Sequence, residues 1–331
     1  MKKLLFIALA TSFISTGVMA KKVKFGTVAP AGTPWAQTLE DIKKRVKKKS
    51  KGKLKIKTYL GGSLGGELEI LQKIRRGNIQ GGGLTSAALA SVIPELDVLE
   101  LPYLFESSEE ADYILDNHLF EIYNELFKKK DLILVTWAEN GWRNLGHKSK
   151  GIKKPSDLKG EKMRSQESKV HLAFWEAMGA APQAISVPET LPALQTGVVQ
   201  GFDNTPLFTL AAEWHTAIKH FTLSGHIYQP AAIVYSARFW KKTKEADRVI
   251  LLDRGRDLAP ESRLSVRALG DELVSVLKDS GITVYELSKS EKQAFKDILL
   301  PLHTKLVSNI GGQAQKIYDI IIKAKAEFKN K

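Results

Sequence analysis

One stretch constrains the chain more than any other: LKGEKMRSQESKVHLAFWEAMGAAPQAISVPETLPALQTGVVQGFDNTP, residues 158–206. Its spacing alternates between strand and helix. Lys162 to Arg164 reads as a short strand after the Gly160 turn. Val170, Ala173, Phe174, Ala177 and Met178 then recur at i, i+3, i+4, i+7 and i+8, which predicts an amphipathic helix that Gly179 stops. Ala184, Ile185 and Val187 predict a second strand. Pro188 opens a short helix carrying Leu191 and Leu194 and ended by Gly197, and Val198 to Phe202 predicts a third strand. This β-α-β-α-β order makes one half of an open sheet. Such sheets bind ligands beyond the carboxyl ends of their strands, where helix N-termini and loop amides converge. Arg164 and Asn204 fall at those ends, so crossovers bring both to one crevice. That pairing suggests ligand capture. Chemistry would need a nucleophile with its base, or two opposed carboxylates, and the stretch shows neither arrangement.

The rest of the chain supplies a second unit of the same kind. Val23, Phe25 and Thr27 alternate as a strand, and the loop 30–34 leads into a helix striped by Trp35, Leu39, Ile42 and Val46. Trp35 follows a strand-to-helix loop, so it fits either the core stripe or the wall of a cleft. Leu54, Ile56 and Thr58 form the next strand. The glycine cluster at 61–66 is not a nucleotide loop, because Glu67 stands where a Gly-Lys-Ser/Thr ending would be needed. Leu68, Leu71 and Ile74 predict a helix, and Ile79 to Leu84 a glycine-rich strand, ending in Thr85 and Ser86. Leu132 to Trp137 is a continuous apolar run and reads as a buried strand. In Glu139-Asn140-Gly141-Trp142-Arg143 the glycine can absorb rotation, which places a crossing between domains there. Ala231 to Tyr235 reads as the return strand, and helices fill the chain from Glu291 to Phe328.

At 331 residues the chain has length for two domains. Met1 to Ala20 has a Lys2-Lys3 start, an apolar run from Leu4 to Leu9 and a Val18-Met19-Ala20 ending, the pattern of a cleaved secretory leader rather than a membrane anchor. There is no cysteine, which excludes a lipid-anchored cysteine and a disulfide scaffold. The net charge is +14, with much of the excess in Lys43-Lys44-Arg45 and Lys47-Lys48-Lys49 on the water-facing side of the Trp35 helix. Export argues against nucleic acid as the partner of this charge. Seven histidines with no HExxH spacing argue against a zinc site.

The motifs DLKGEKMRSQES and ALQTGVVQGFDNTP together resemble the paired signature of the substrate-binding proteins of tripartite ATP-independent periplasmic (TRAP) transporters, of the dicarboxylate-binding type. KFGTVAPAGTPWAQ, GKLKIKTYLGGSLGGELEILQKIRRG, PELDVLELPYLF and GWRNLGHKSKGIKKPSDL match the same family in order and spacing. The resemblance implies an α/β periplasmic-binding-protein fold, with two α/β domains around a ligand cleft, hinge strands and long C-terminal strapping helices. It implies residues 21–140 with 229–269 as the first domain and 141–228 with 270–331 as the second, after a signal peptide over 1–20. It implies no enzyme and no cofactor, but a monomeric periplasmic carrier that hands a small organic acid to a membrane permease. An extracytoplasmic sensor or scavenger on the same fold is the alternative, which sequence leaves open. Within the resemblance Arg164 clamps the carboxylate, Asn204 is a second contact and Arg143 assists. Thr85, Ser86, Trp35 and Val187 complete the expected site. An aromatic often found over the ligand is Val187 here, and the usual Asp-Gly-x-Glu-Asn is Gln200-Gly201-Phe202-Asp203-Asn204, changes that leave room for a bulkier or more apolar acid.

Overall fold

The structure, a computed structural model, describes residues 20–330. The expected leader lies outside the described residues, apart from Ala20. Nine strands form one mixed sheet: β1 Lys21–Gly26, β2 Leu54–Tyr59, β3 Gly81–Thr85, β4 Leu132–His147, β5 Lys162–Ser165, β6 Ala181–Ala184, β7 Gly201–Asn204, β8 His220–Ser236 and β9 Thr283–Glu286. They lie in the order β2-β1-β3-β8-β4-β7-β5-β6, with β9 also on β8. At each end of the sheet short parallel strands alternate with helices, because every β-α-β crossover returns the chain in the same direction.

The two long strands join those ends. β4 and β8 have 16 and 17 residues and pair antiparallel along their lengths. β3 pairs with Ala231 to Tyr235 of β8, whereas β7 pairs with Asn144 to His147 of β4 and β9 with His220 to Leu223 of β8. Each long strand therefore serves one α/β half with one end and the second half with the other. Their register slips between Leu134 and Thr136, Glu139 and Gly141, and Arg143 and Leu145. Gly141 takes φ of 107°, a conformation a side chain would oppose. The two α/β halves of the sheet meet along these bulged strands.

Helices cover both faces. Val23, Phe25, Ile42 and Val46 lie in one core on the first half, and Met163, Phe174, Trp175 and Phe295 in another on the second. A third, larger core around Trp137, Phe202 and Tyr228 passes between them. The C-terminal helices cross from half to half. Helix Lys289–Leu299 packs on the helix Lys169–Ala177, while Leu302–Ile310 and Ala314–Lys329 pack on the segment Pro94–Glu100 and its neighbours. Lys325 fixes that end by binding the Leu104 carbonyl at 2.7 Å and Glu110 at 2.6 Å.

Three boundaries differ from the sequence reading. β6 spans Ala181–Ala184, not 184–187, and Val187 is instead the first residue of helix Val187–Gln195. β6 is an edge strand whose residues are mostly exposed, so it carries no apolar alternation, and the Ile185 and Val187 signal reports packing against the core. β7 begins at Gly201, which places Asn204 inside the strand end rather than past it. The exposed Val198 belongs to the preceding turn. β4 and β8 run well beyond their apolar stretches, because side-chain hydrogen bonds between the two strands sustain the buried polar residues Glu139, Asn140, Arg143 and Gln229.

Candidate functional site

Arg164 is the penultimate residue of β5 and is 1% exposed. Its Nε donates to the Ile185 carbonyl at 2.9 Å, and its guanidinium lies over the Trp214 ring, 5.2 Å from the centroid. Among the described residues no carboxylate comes within 4.0 Å of it, so the salt bridge to Glu167 that sequence would allow does not form. Burial, and then the charge of Arg143, push the Arg164 pKa down to about 10. Its two terminal nitrogens have no protein partner and face a cavity of about 260 Å³. A buried guanidinium without an anion is costly, and the site gains most from a ligand that supplies one.

Arg143 is held differently. Its Nε donates to Asp203 Oδ2 at 2.5 Å, one terminal nitrogen to Gln229 Oε1 at 2.7 Å and the other to the Asp203 carbonyl at 2.5 Å. Burial works against the Asp203 charge, but Arg143, His171 and His226 outweigh it and hold that carboxyl well below the usual carboxylate range. Arg143 lines the cavity with each of its three nitrogens already bound within the protein. The assisting contact expected of it is therefore indirect: it carries the Asp203–Asn204 strand end. Asn204 accepts from Asn140 at 3.0 Å and from the Thr205 amide at 2.8 Å through its oxygen, which leaves its amide nitrogen free on the wall shared with Arg164.

The first half supplies the opposite wall. Thr85 caps the helix Ser86–Ala90, donates its hydroxyl to Glu67 Oε2 at 2.8 Å and its amide to Oε1 at 2.7 Å. Gln166, the residue that follows β5, crosses the cleft to Thr85 at 2.8 Å and Glu67 at 3.2 Å. Burial pushes the Glu67 carboxyl up, against the Thr85 bonds that favour its charge. Val187 joins the wall beside Arg164. Trp35 is half-buried in a second, larger space, where it donates to the Glu139 carbonyl at 2.6 Å and meets Phe208 with ring centroids 5.9 Å apart. Ser86 departs from expectation. It is fully buried and lies on neither cavity wall, because its hydroxyl is turned inward to the Pro230 carbonyl at 2.7 Å and to Glu100.

Six wall residues escaped sequence reasoning: Val28, Glu67, Asn140, Gln166, Phe208 and Gln229. A place just past the carboxyl end of β5 points to Gln166 once Arg164 is chosen. Glu67 was visible as the residue that rules out a phosphate, though not as a hydrogen-bond acceptor. Among the described residues no group of His, Asp and Glu could hold a metal ion, and no helix is long and apolar enough to cross a membrane.

A family model described as bacterial extracellular solute-binding protein, family 7 (DctP) matches residues 25–309. The chain belongs to this family. Its members are solute-binding proteins rather than enzymes, and delivery of a small organic acid to a membrane permease is their role. The family 7 chain is 26% identical over 296 residues to the C4-dicarboxylate-binding periplasmic protein DctP of Rhodobacter capsulatus, covering 88% of each chain. Its fold is similar to that of the sugar acid binding protein DctPAm from Advenella mimigardefordensis in complex with galactonate, with a TM-score of 0.88 and 25% identity over 92% of this chain and 99% of that one. It is also similar to a TRAP periplasmic solute binding protein from Citrobacter koseri with bound D-glucuronate, with a TM-score of 0.83 and 28% identity over 91% and 99%.

Proposed function

We propose that this protein captures a small organic acid between its two halves, with the acid's carboxylate on the free end of Arg164. The observation that carries the proposal is the pairing, on one cavity wall, of a buried guanidinium without an ion-pair partner and the uncommitted amide of Asn204. A guanidinium offers a carboxylate two parallel charge-assisted hydrogen bonds in a geometry that lysine cannot reproduce. Arg143 acts through Asp203 as a positioning residue, and Thr85, Trp35 and Val187 shape the space. The chain divides at 140/141, 228/229 and 269/270, and the bulges around Gly141 are the hinge.

In this reading the protein works outside the cytoplasm as a monomer, after loss of a leader, and presents its load to a TRAP permease. The cleft is closed by contacts from one half to the other: Gln166 to Thr85, Ser168 to Asp97 at 2.8 Å, and His171 to Glu100 at 2.6 Å. A ligand favours this closed form only by the difference between its affinities for the closed and open forms. Calorimetric titration of Arg164→Ala with an acid that native mass spectrometry finds bound to the wild type tests the clamp. Loss of one partner from a buried charge pair costs about 2–5 kcal/mol, or roughly thirty- to several-thousand-fold in affinity. Arg164→Lys is expected to recover only part of that loss, and unchanged affinity in Arg164→Ala would sink the clamp.

A further inference from the structure

The space beside the clamp differs in character from the clamp itself. It spans about 550 Å³, part of it open to solvent, and adjoins the Arg164 cavity through the shared residues Val28, Glu67, Thr85, Asn140 and Phe208. Val28, Trp35, Leu84, Ala138, Phe208 and Ala231 give its wall an aliphatic and aromatic surface. No lysine or arginine lines it, and its two charged residues are both acidic. Glu139 is occupied by Arg267 at 2.6 Å and the Tyr228 hydroxyl at 2.6 Å, while Glu67 already accepts from Thr85 and Gln166. Several neutral polar groups there already hold a hydrogen bond within the protein. The Thr27 hydroxyl accepts from the Ala29 amide, Thr38 donates to the Pro34 carbonyl, and the Asn140 amide donates to Asn204 and Gln229.

We propose that the acid bound here carries one carboxylate on an apolar body, with the body seated in the chamber between Val28, Trp35, Leu84 and Phe208. This rests on the Arg164 reading above and narrows it. A second carboxylate in the chamber would meet Glu67 and no cation, so it would be desolvated and repelled. The hydroxyls of a polyol acid would give up water for an apolar wall with few polar groups, several of which already hold a hydrogen bond. A hydrocarbon body loses nothing there and gains from the area it removes from water.

The test is a calorimetric series on the full protein with butanoate, hexanoate and octanoate, beside succinate and gluconate. Affinity is expected to rise about three- to fourfold per added methylene until the chamber is full, and octanoate is expected to bind more tightly than succinate or gluconate. Val28→Thr, nearly isosteric, is expected to weaken octanoate severalfold, and to weaken it more than butanoate. A flat series, or tighter binding of succinate or gluconate, overturns the apolar assignment while loss of binding in Arg164→Ala leaves the clamp standing. No binding by any of the acids, or the same binding in Arg164→Ala as in wild type, overturns the clamp and this inference with it.

Discussion

Replacing Asp203 by asparagine keeps the size of the side chain and removes its charge, which isolates what the buried pair with Arg143 contributes. Both side chains are at most 1% exposed and meet at 2.5 Å. After the change Arg143 keeps Gln229 and the residue 203 carbonyl, but its charge has no counter-ion in contact. His171 and His226, 3.7 and 3.4 Å from Asp203, lose the same anion. Breaking a buried pair in this way costs about 3–5 kcal/mol. With an unfolding entropy of about 2.1 cal/mol/K per residue, a chain of roughly 300 residues should melt ~5–8 °C lower. Differential scanning calorimetry at pH 7 measures this. The pH dependence supplies a second reading. Asp203 is held below its unfolded pKa, so its contribution is present above about pH 4 and is lost as pH falls through the folded pKa. The gap between wild type and variant should therefore shrink in acid. Arg143→Met with Asp203→Leu, which removes both charges, should recover much of the loss. A melting temperature within ~1 °C of wild type for Asp203→Asn alone would refute the claim that this pair holds the site together.

Other perturbations address separate parts of the account. Burial pushes the Asp97 carboxyl up to about 6, against an ordinary 3.8, where it accepts from Ser168. A raised carboxyl binds its proton more tightly when folded, so the wild type loses stability as pH climbs from about 4 to 6. Asp97→Asn keeps the Ser168 acceptor and should be more stable by up to roughly 3 kcal/mol at pH 8, with the advantage vanishing below pH 4, as urea melts at the two pH values would show. An equal difference at both pH values would contradict it. In β3, a Cβ on Gly81 would stand 2.6 Å from the Val234 carbonyl and 2.7 Å from the Phe25 ring. Gly81→Ala should therefore destabilise by about 1–3 kcal/mol in a denaturant melt, and a neutral effect would mean that the sheet can yield there.

How much of this was legible in the sequence depends on which physical signal each part left. The β5 to β7 unit was readable because the helix Lys169–Ala177 buries one face and glycines mark its stops. Arg164 stood out because an arginine near the end of a short parallel strand has little structural reason to be there. Edge strand β6 was misplaced by three residues, since exposed strands leave no alternation. The polar halves of β4 and β8 were invisible for a related reason: Asn140, Arg143 and Gln229 look like surface residues until partners distant in sequence satisfy them. Burial of Arg164 and of Asp203 was equally out of reach, because neighbours from both halves create it. Ser86 was drawn toward the site by its place next to Thr85, and only the fold turns it inward.

The most direct measurement is a crystal structure of the protein with its natural acid bound. The account requires a carboxylate within hydrogen-bond reach of both terminal nitrogens of Arg164, about 2.7–2.9 Å, with Asn204 on the same group. A ligand seated elsewhere, or one that turns a hydroxyl or an apolar edge toward Arg164, would contradict it.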